Sequence, residues 1–204
     1  MYYFDERERF VIEDYNHSKP FASFLPGIAG KKGIPLWVFY VNRGQCITSF
    51  GVRDKDHAIM EFYPAFRAYQ NVETVGFRTF IRLNDKKLYE PFRTHNGIDC
   101  RQSMHIGLNE LELREVFPDL GLETSVLYYT LPMERVAVLS RKLTVKNLSG
   151  SSIRLEIIDG IPALLPYGMN DYGIKHVGNT LRAWMDVCSL ESKVPIFKIG
   201  RANV

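Results

Sequence analysis

The stretch Leu36-Trp37-Val38-Phe39-Tyr40-Val41-Asn42-Arg43-Gly44-Gln45-Cys46-Ile47-Thr48-Ser49-Phe50-Gly51-Val52 decides the fold class. Its first six residues are all apolar and rich in β-branched and aromatic side chains, which suit a pleated strand. Asn42 to Gln45 has turn composition, and Cys46, Thr48, Phe50 and Val52 then fall on one face at a period of two. This is a hairpin by composition and period. Because the first strand is apolar on both faces, it is expected to be covered on both sides.

The same pattern continues outward. Phe77, Thr79, Ile81 and Leu83 alternate with Arg78, Phe80 and Arg82, and Asn84-Asp85-Lys86-Lys87 returns the chain into Leu88-Tyr89, a second hairpin. Met104, Ile106 and Leu108 alternate, as do Leu111 and Leu113, with a phase slip at Asn109-Glu110 that reads as a β-bulge. Leu139, Arg141, Leu143 and Val145 lead through Asn147-Leu148-Ser149-Gly150-Ser151 to Ile153, Leu155 and Ile157, and the matching periods predict a third hairpin. The inward face is expected to carry Trp37, Phe39, Phe50, Phe80, Ile106, Leu143, Val145, Leu155 and Ile157.

One stretch departs from this rhythm. Ile174, Val177, Leu181, Trp184 and Cys188 recur at steps of three and four, which predicts one helix near 171–187, capped by Asn170 or Asp171 and weakened by Gly173 and Gly178. The run Ile161 to Gly168 reads as an extended connector. The apolar stretch from Val194 to Ile199 lies within the last eleven residues, so the chain is expected to be a piece of something longer with an open sheet edge. The reading is a single all-β sandwich domain over residues 1–204 with one helix.

Composition bounds the function. The 204 residues contain 15 Gly and 10 Pro, which excludes collagenous and low-complexity classes. The net charge of +3 is dispersed among acids, so nucleic acid is not the expected ligand. Three cysteines at wide spacing, Cys46, Cys100 and Cys188, suggest neither a disulfide framework nor a zinc knuckle, and a reducing cytoplasm is expected. Met1 to Glu8 carries charges where a signal peptide has its apolar stretch, and there is no apolar run long enough to span a membrane.

Several candidate sites can be weighed. The glycines in Pro26-Gly27-Ile28-Ala29-Gly30-Lys31-Lys32-Gly33 meet no phosphate-loop pattern and precede a strand rather than a helix, so they read as a turn. His17, His57, His95, His105 and His176 include no pair at metal-ligand spacing, and no metal is expected. Asn147-Leu148-Ser149 matches a glycosylation acceptor but reads as a turn. There is no G-x-S-x-G element, and a Ser/His/Asp constellation is spatial and cannot be assembled from spacing.

The mixture with most chemistry is Arg53-Asp54-Lys55-Asp56-His57, followed by Phe62, Tyr63, Phe66 and Tyr69. Sugar hydroxyls want charged or amide partners, and the apolar face of a sugar wants an aromatic platform. In that reading Arg53, Asp54, Asp56 and His57 hydrogen-bond a sugar while Tyr63 or Phe66 stacks on it. The alternative is a solvated loop beside a core aromatic cluster. A mutarotase-like epimerase with His57 or His105 as acid and Glu61 or Glu110 as base is a third reading, by fold analogy alone.

The blocks Tyr15 to Gly30, Gly33 to Gln45, Ser49 to Val52, Asp159 to Gly168 and Gly178 to Met185 resemble the N-terminal β-sandwich domain of cellobiose-phosphorylase-like inverting glycoside phosphorylases. The resemblance implies a supersandwich akin to galactose mutarotases, fused in the full-length enzyme to an (α/α)6 barrel. That barrel holds the catalytic aspartate and the phosphate site. It also implies a β-glucoside or β-glucan oligosaccharide substrate, inorganic phosphate as co-substrate with no other cofactor, and a homodimer. Nothing here matches the barrel, so no catalytic residue is carried over and the piece alone is expected to be inactive. A freestanding carbohydrate-binding sandwich is the alternative from another class.

Overall fold

The computed structural model describes residues 1–25, 27–29, 32–84, 87–94, 99–165, 169–183, 185–189, 191–192 and 196–199. His95, Trp184, Val194 and the Gly30-Lys31 pair of the glycine loop lie outside the described residues.

The chain runs through β1 (Tyr2–Phe4), β2 (Phe10–Glu13), β3 (Ala22–Leu25), β4 (Ile28–Ala29), β5 (Ile34–Val41) and β6 (Ile47–Val52). A 3-10 turn (Lys55–His57), β7 (Ala58–Met60), α1 (Ala65–Val75), β8 (Arg78–Leu83) and β9 (Lys87–Tyr89) follow. Then come β10 (Arg101–Ile106), β11 (Glu110–Phe117), β12 (Leu122–Thr130), β13 (Leu139–Asn147), β14 (Leu155–Gly160), α2 (Asp171–Ala183), β15 (Met185–Cys188) and β16 (Ile196–Ile199). The fold is mainly β. One sheet has the order β1-β2-β10-β11-β12-β13, a second runs β3-β5-β6-β7 with β4 also on β5, a third is β14-β8-β9, and β15 pairs β16.

The first two sheets share one core. Alternation in β11 and β12 buries Leu111, Leu113, Val126 and Tyr128, and these meet Leu36, Val38, Tyr40, Ile47 and Phe50 of the second sheet. Ile81, Leu83 and Tyr89 join Phe117 and Leu122 in a separate cluster that packs the third sheet against one end of the first.

The expectation that the strand at 36–41 is covered on both faces holds. One face of β5 looks into the shared core, while Phe39 and Val41 on the other pack against Ala68 and Val72 of α1. This helix is the element the β-only reading omits. Its stripe, Ala65, Ala68, Val72 and Val75, has steps of three, four and three, and Pro64 stands just before its first residue.

The hairpins β5–β6 and β8–β9 form as expected. The third does not: β13 pairs β12, whereas β14 pairs β8 in a different sheet. The loop between them explains why. Leu148 N–H donates to the Gly121 carbonyl at 2.7 Å, which lays the loop beside the β11–β12 turn, and Asn84 N–H bonds Arg154 O at 3.0 Å, which draws the chain onto β8. The supposed bulge at Asn109-Glu110 is a chain reversal, closed by Gly107 N–H on Glu110 O at 2.9 Å, with Leu108 93% exposed.

Of the expected inward residues, Phe39 and Phe50 are buried, and Ile106, Leu143, Val145 and Leu155 are partly buried against core clusters. Trp37 and Phe80 are half-buried. Ile157 is exposed, because its strand lies at the edge of the small third sheet rather than against β13. The late helix spans Asp171–Ala183 rather than 171–187, and its last expected turn is the strand β15. Ile174 is buried, while Val177 of the expected apolar stripe is exposed.

Candidate functional site

The 3-10 turn after β6 acts as an anchor. Asp54 caps it, accepting from Asp56 N–H at 2.9 Å, and its Oδ1 lies 2.7 Å from His57 Nδ1. That bond to His57 holds the Asp54 carboxyl below its ordinary value. Asp56 Oδ1 in turn accepts Asp171 N–H at 3.0 Å, and Asn170 Oδ1 accepts Gly173 N–H at 2.8 Å, so two side chains satisfy the first free amides of α2. Asp171 binds both Lys55 and Lys175 at 2.9 Å, which fixes the start of α2 on the turn and depresses the Asp171 carboxyl.

Anchored this way, the middle of α2 faces the segment leading into α1 across a cleft of about 320 Å³. Glu61, Tyr63 and Arg67 line one wall, and Lys175, His176 and Asn179 line the other. Ser49 Oγ donates to the Glu61 carbonyl at 2.7 Å and sets the first wall on β6. Tyr63 O–H donates to Glu61 Oε2, also at 2.7 Å, which orients the carboxylate. On the opposite wall the His176 ring rests 4.3 Å from the Tyr172 ring, centroid to centroid.

The cleft therefore presents a carboxylate acceptor, a phenol, an amide, an imidazole and two cations within one small space. Its volume lies at the low end of ligand pockets. Such a set has the chemistry to hydrogen-bond hydroxyls or to pair with an anionic group. Among the described residues there is no group of three His, Cys, Asp or Glu side chains arranged to hold a metal ion.

Of the residues singled out in the sequence, Tyr63 lines this cleft. Phe66 is 65% exposed and does not line it. Asp54, Asp56 and His57 are spent on the turn and on α2, and Arg53, at φ 64°, leads into that turn. Glu61 is in the cleft, whereas His105 is bonded to Ser103 and Asp5, and Glu110 approaches Arg9 at 3.5 Å. Arg67, Lys175 and Asn179 were not singled out in the sequence, and His176 was weighed there only as a metal ligand. The signal available for Lys175, His176 and Asn179 was the polar side of the same helical period that picked out Ile174.

Cys46 is buried, Cys100 and Cys188 are half-buried, and among the described residues no helix is long and apolar enough to cross a membrane. No protein-family model matches the chain, and no curated protein matches it.

Proposed function

We propose that this chain is the N-terminal supersandwich module of an inverting glycoside phosphorylase acting on β-glucosides or β-glucan oligosaccharides, and that the cleft between α1 and α2 holds a sugar unit. The observation that carries the reading is the cleft itself: donors and acceptors on two walls around an aromatic ring, at the size of a small polar ligand. In phosphorolysis a carboxylic acid protonates the leaving oxygen while phosphate attacks from the opposite face. That chemistry belongs to a helical-barrel domain of the same polypeptide. The part assigned to this chain is to bind sugar and to make domain and subunit contacts in a cytoplasmic homodimer.

Calorimetric titration with glucose and a series of β-glucan oligosaccharides tests the cleft. Binding that weakens at least tenfold in Tyr63→Ala and Asn179→Ala is expected, and no heat with any sugar overturns it. Phosphate-dependent release of a sugar 1-phosphate by this chain alone would overturn the module assignment. A freestanding carbohydrate-binding sandwich uses the same cleft, so coding sequence beyond Val204 separates the two: barrel-like helical periodicity supports the phosphorylase and a stop codon rejects it.

A further inference from the structure

A second constellation lies on the outer face of the six-stranded sheet, independent of the sugar cleft. Arg101, Ser103 and His105 alternate along β10 and so project to one side. Ser103 Oγ lies 2.9 Å from His105 Nε2, and His105 Nδ1 lies 3.4 Å from Asp5 Oδ2. Asp5 is held in turn by Arg9 Nε at 2.9 Å and by the backbone N–H groups of Arg7 and Arg9 at 2.9 and 3.0 Å. We propose that Ser103, His105 and Asp5 form a nucleophile, general base and orienting carboxylate that hydrolyse a small O-acyl ester.

The geometry assigns each role. The Asp5 carboxylate selects the tautomer with hydrogen on Nδ1, which leaves Nε2 as acceptor for the serine hydroxyl. The 3.4 Å step is longer than a good hydrogen bond, as catalytic contacts often are before substrate closes the site. His105 is buried and Ser103 is half-buried, and Ser103 opens into a cavity of about 290 Å³ that Arg101, Arg114, Glu13 and Glu123 also line. Burial keeps the imidazole below its usual value, against the pull of Asp5, so the ring is neutral near pH 7 and has a free lone pair to take a proton. Burial opposes ionisation of Asp5, but the hydrogen bonds from Arg9, Arg7 and His105 prevail and hold it ionised.

The reaction balances without a further reagent. Ser103 Oγ bonds to the ester carbonyl carbon as its proton passes to His105 Nε2. The tetrahedral intermediate then breaks its C–O bond to the alcohol, which takes that proton. Water repeats the sequence on the acyl-serine and releases the carboxylic acid. Arg101, exposed two residues before the nucleophile on the same face, stands where it can stabilise the oxyanion. The cavity admits short acyl groups rather than long chains.

A fluorophosphonate probe, with peptide mapping by mass spectrometry, and p-nitrophenyl acetate hydrolysis test this in the intact chain. The probe is expected on Ser103, with labelling abolished in Ser103→Ala and slowed about 100-fold in His105→Gln. Ser125→Ala is the control, since Ser125 flanks Arg114 on the next strand, and it should label at the wild-type rate. Labelling of Ser103→Ala at the wild-type rate, a labelled peptide that does not contain Ser103, or equal ester hydrolysis by the two proteins overturns the proposal. Should His105→Gln not fold, Ser103→Ala by itself decides, because it removes one partly exposed hydroxyl.

Discussion

Arg141 and Asp159 form an ion pair that ties β13 of the six-stranded sheet to β14 of the three-stranded one. The guanidinium also donates to Gln45 Oε1 at 2.6 Å and Thr79 Oγ1 at 3.1 Å, and lies 5.2 Å over the Phe77 ring. Thr79 O–H completes the circuit, donating to Asp159 Oδ1 at 2.6 Å. Two strands that look like partners in the sequence are thus joined by side chains instead of a backbone ladder.

Truncating Arg141 leaves Asp159 without its cation and strips a donor from Gln45 and Thr79. With the two side chains 9% and 26% exposed, Arg141→Met is expected to cost about 3 kcal/mol, the low end for breaking a buried pair. The denaturation midpoint in urea should fall at constant m. A loss below about 1 kcal/mol would show that the pair is not structural.

Val72 is fully buried between α1 and β5. Val72→Ala is expected to destabilise by roughly 1.5–3 kcal/mol, since it removes most of a buried aliphatic side chain from contact with Phe39 and Val41. Chemical denaturation measures it, and a neutral result would mean that α1 does not cover that face.

Two glycines should respond in opposite directions. A Cβ on Gly51 would stand 2.6 Å from the His57 carbonyl, 2.6 Å from Trp37 Cζ2 and 2.7 Å from Ala58 Cα, so Gly51→Ala should cost about 1–3 kcal/mol and alter Trp fluorescence. A Cβ on Gly178, inside α2, meets nothing within 4 Å. Gly178→Ala should raise stability by about 0.5–1 kcal/mol. Thermal melts of the two variants that shift the same way would contradict this.

Acid should weaken the edge around β2 and β10. Burial raises the Glu112 carboxyl, but hydrogen bonds from Arg114 and Arg9 outweigh it, and Asp5 is depressed in the same manner by Arg9. A folded-state value below the unfolded one gives stability that is present above about pH 4 and lost as pH falls through the folded values. Stability against urea should therefore drop steeply below about pH 4, and less steeply in Glu112→Gln. An unchanged slope in that variant would remove Glu112 from the account.

The mainly β class was legible in the sequence, as were the β5–β6 and β8–β9 hairpins, because a strand's period of two and a short turn are local properties of the residues that form them. The double cover of β5 was legible too, since a strand apolar on both faces cannot leave either in water. What covers the second face was not. Tyr63 and Phe66 suggested a sugar platform, while the helical stripe through Ala68 and Val72 is short and built partly of alanine.

Other features depended on tertiary closure. The periods of β13 and β14 match, yet Leu148 N–H donates to the Gly121 carbonyl and the Arg154 carbonyl accepts from Asn84 N–H, so the strands part into different sheets. Pairing of that kind is decided by competition among distant backbone groups, of which a periodic pattern carries no trace. The cleft is similar: Tyr63 was visible as an aromatic, but Lys175, His176 and Asn179 reach it because Asp56 holds the first turn of α2. Local sequence determined which residues form strands and which form the late helix; which strands pair, and which polar side chains converge, was set by packing between segments far apart in the chain.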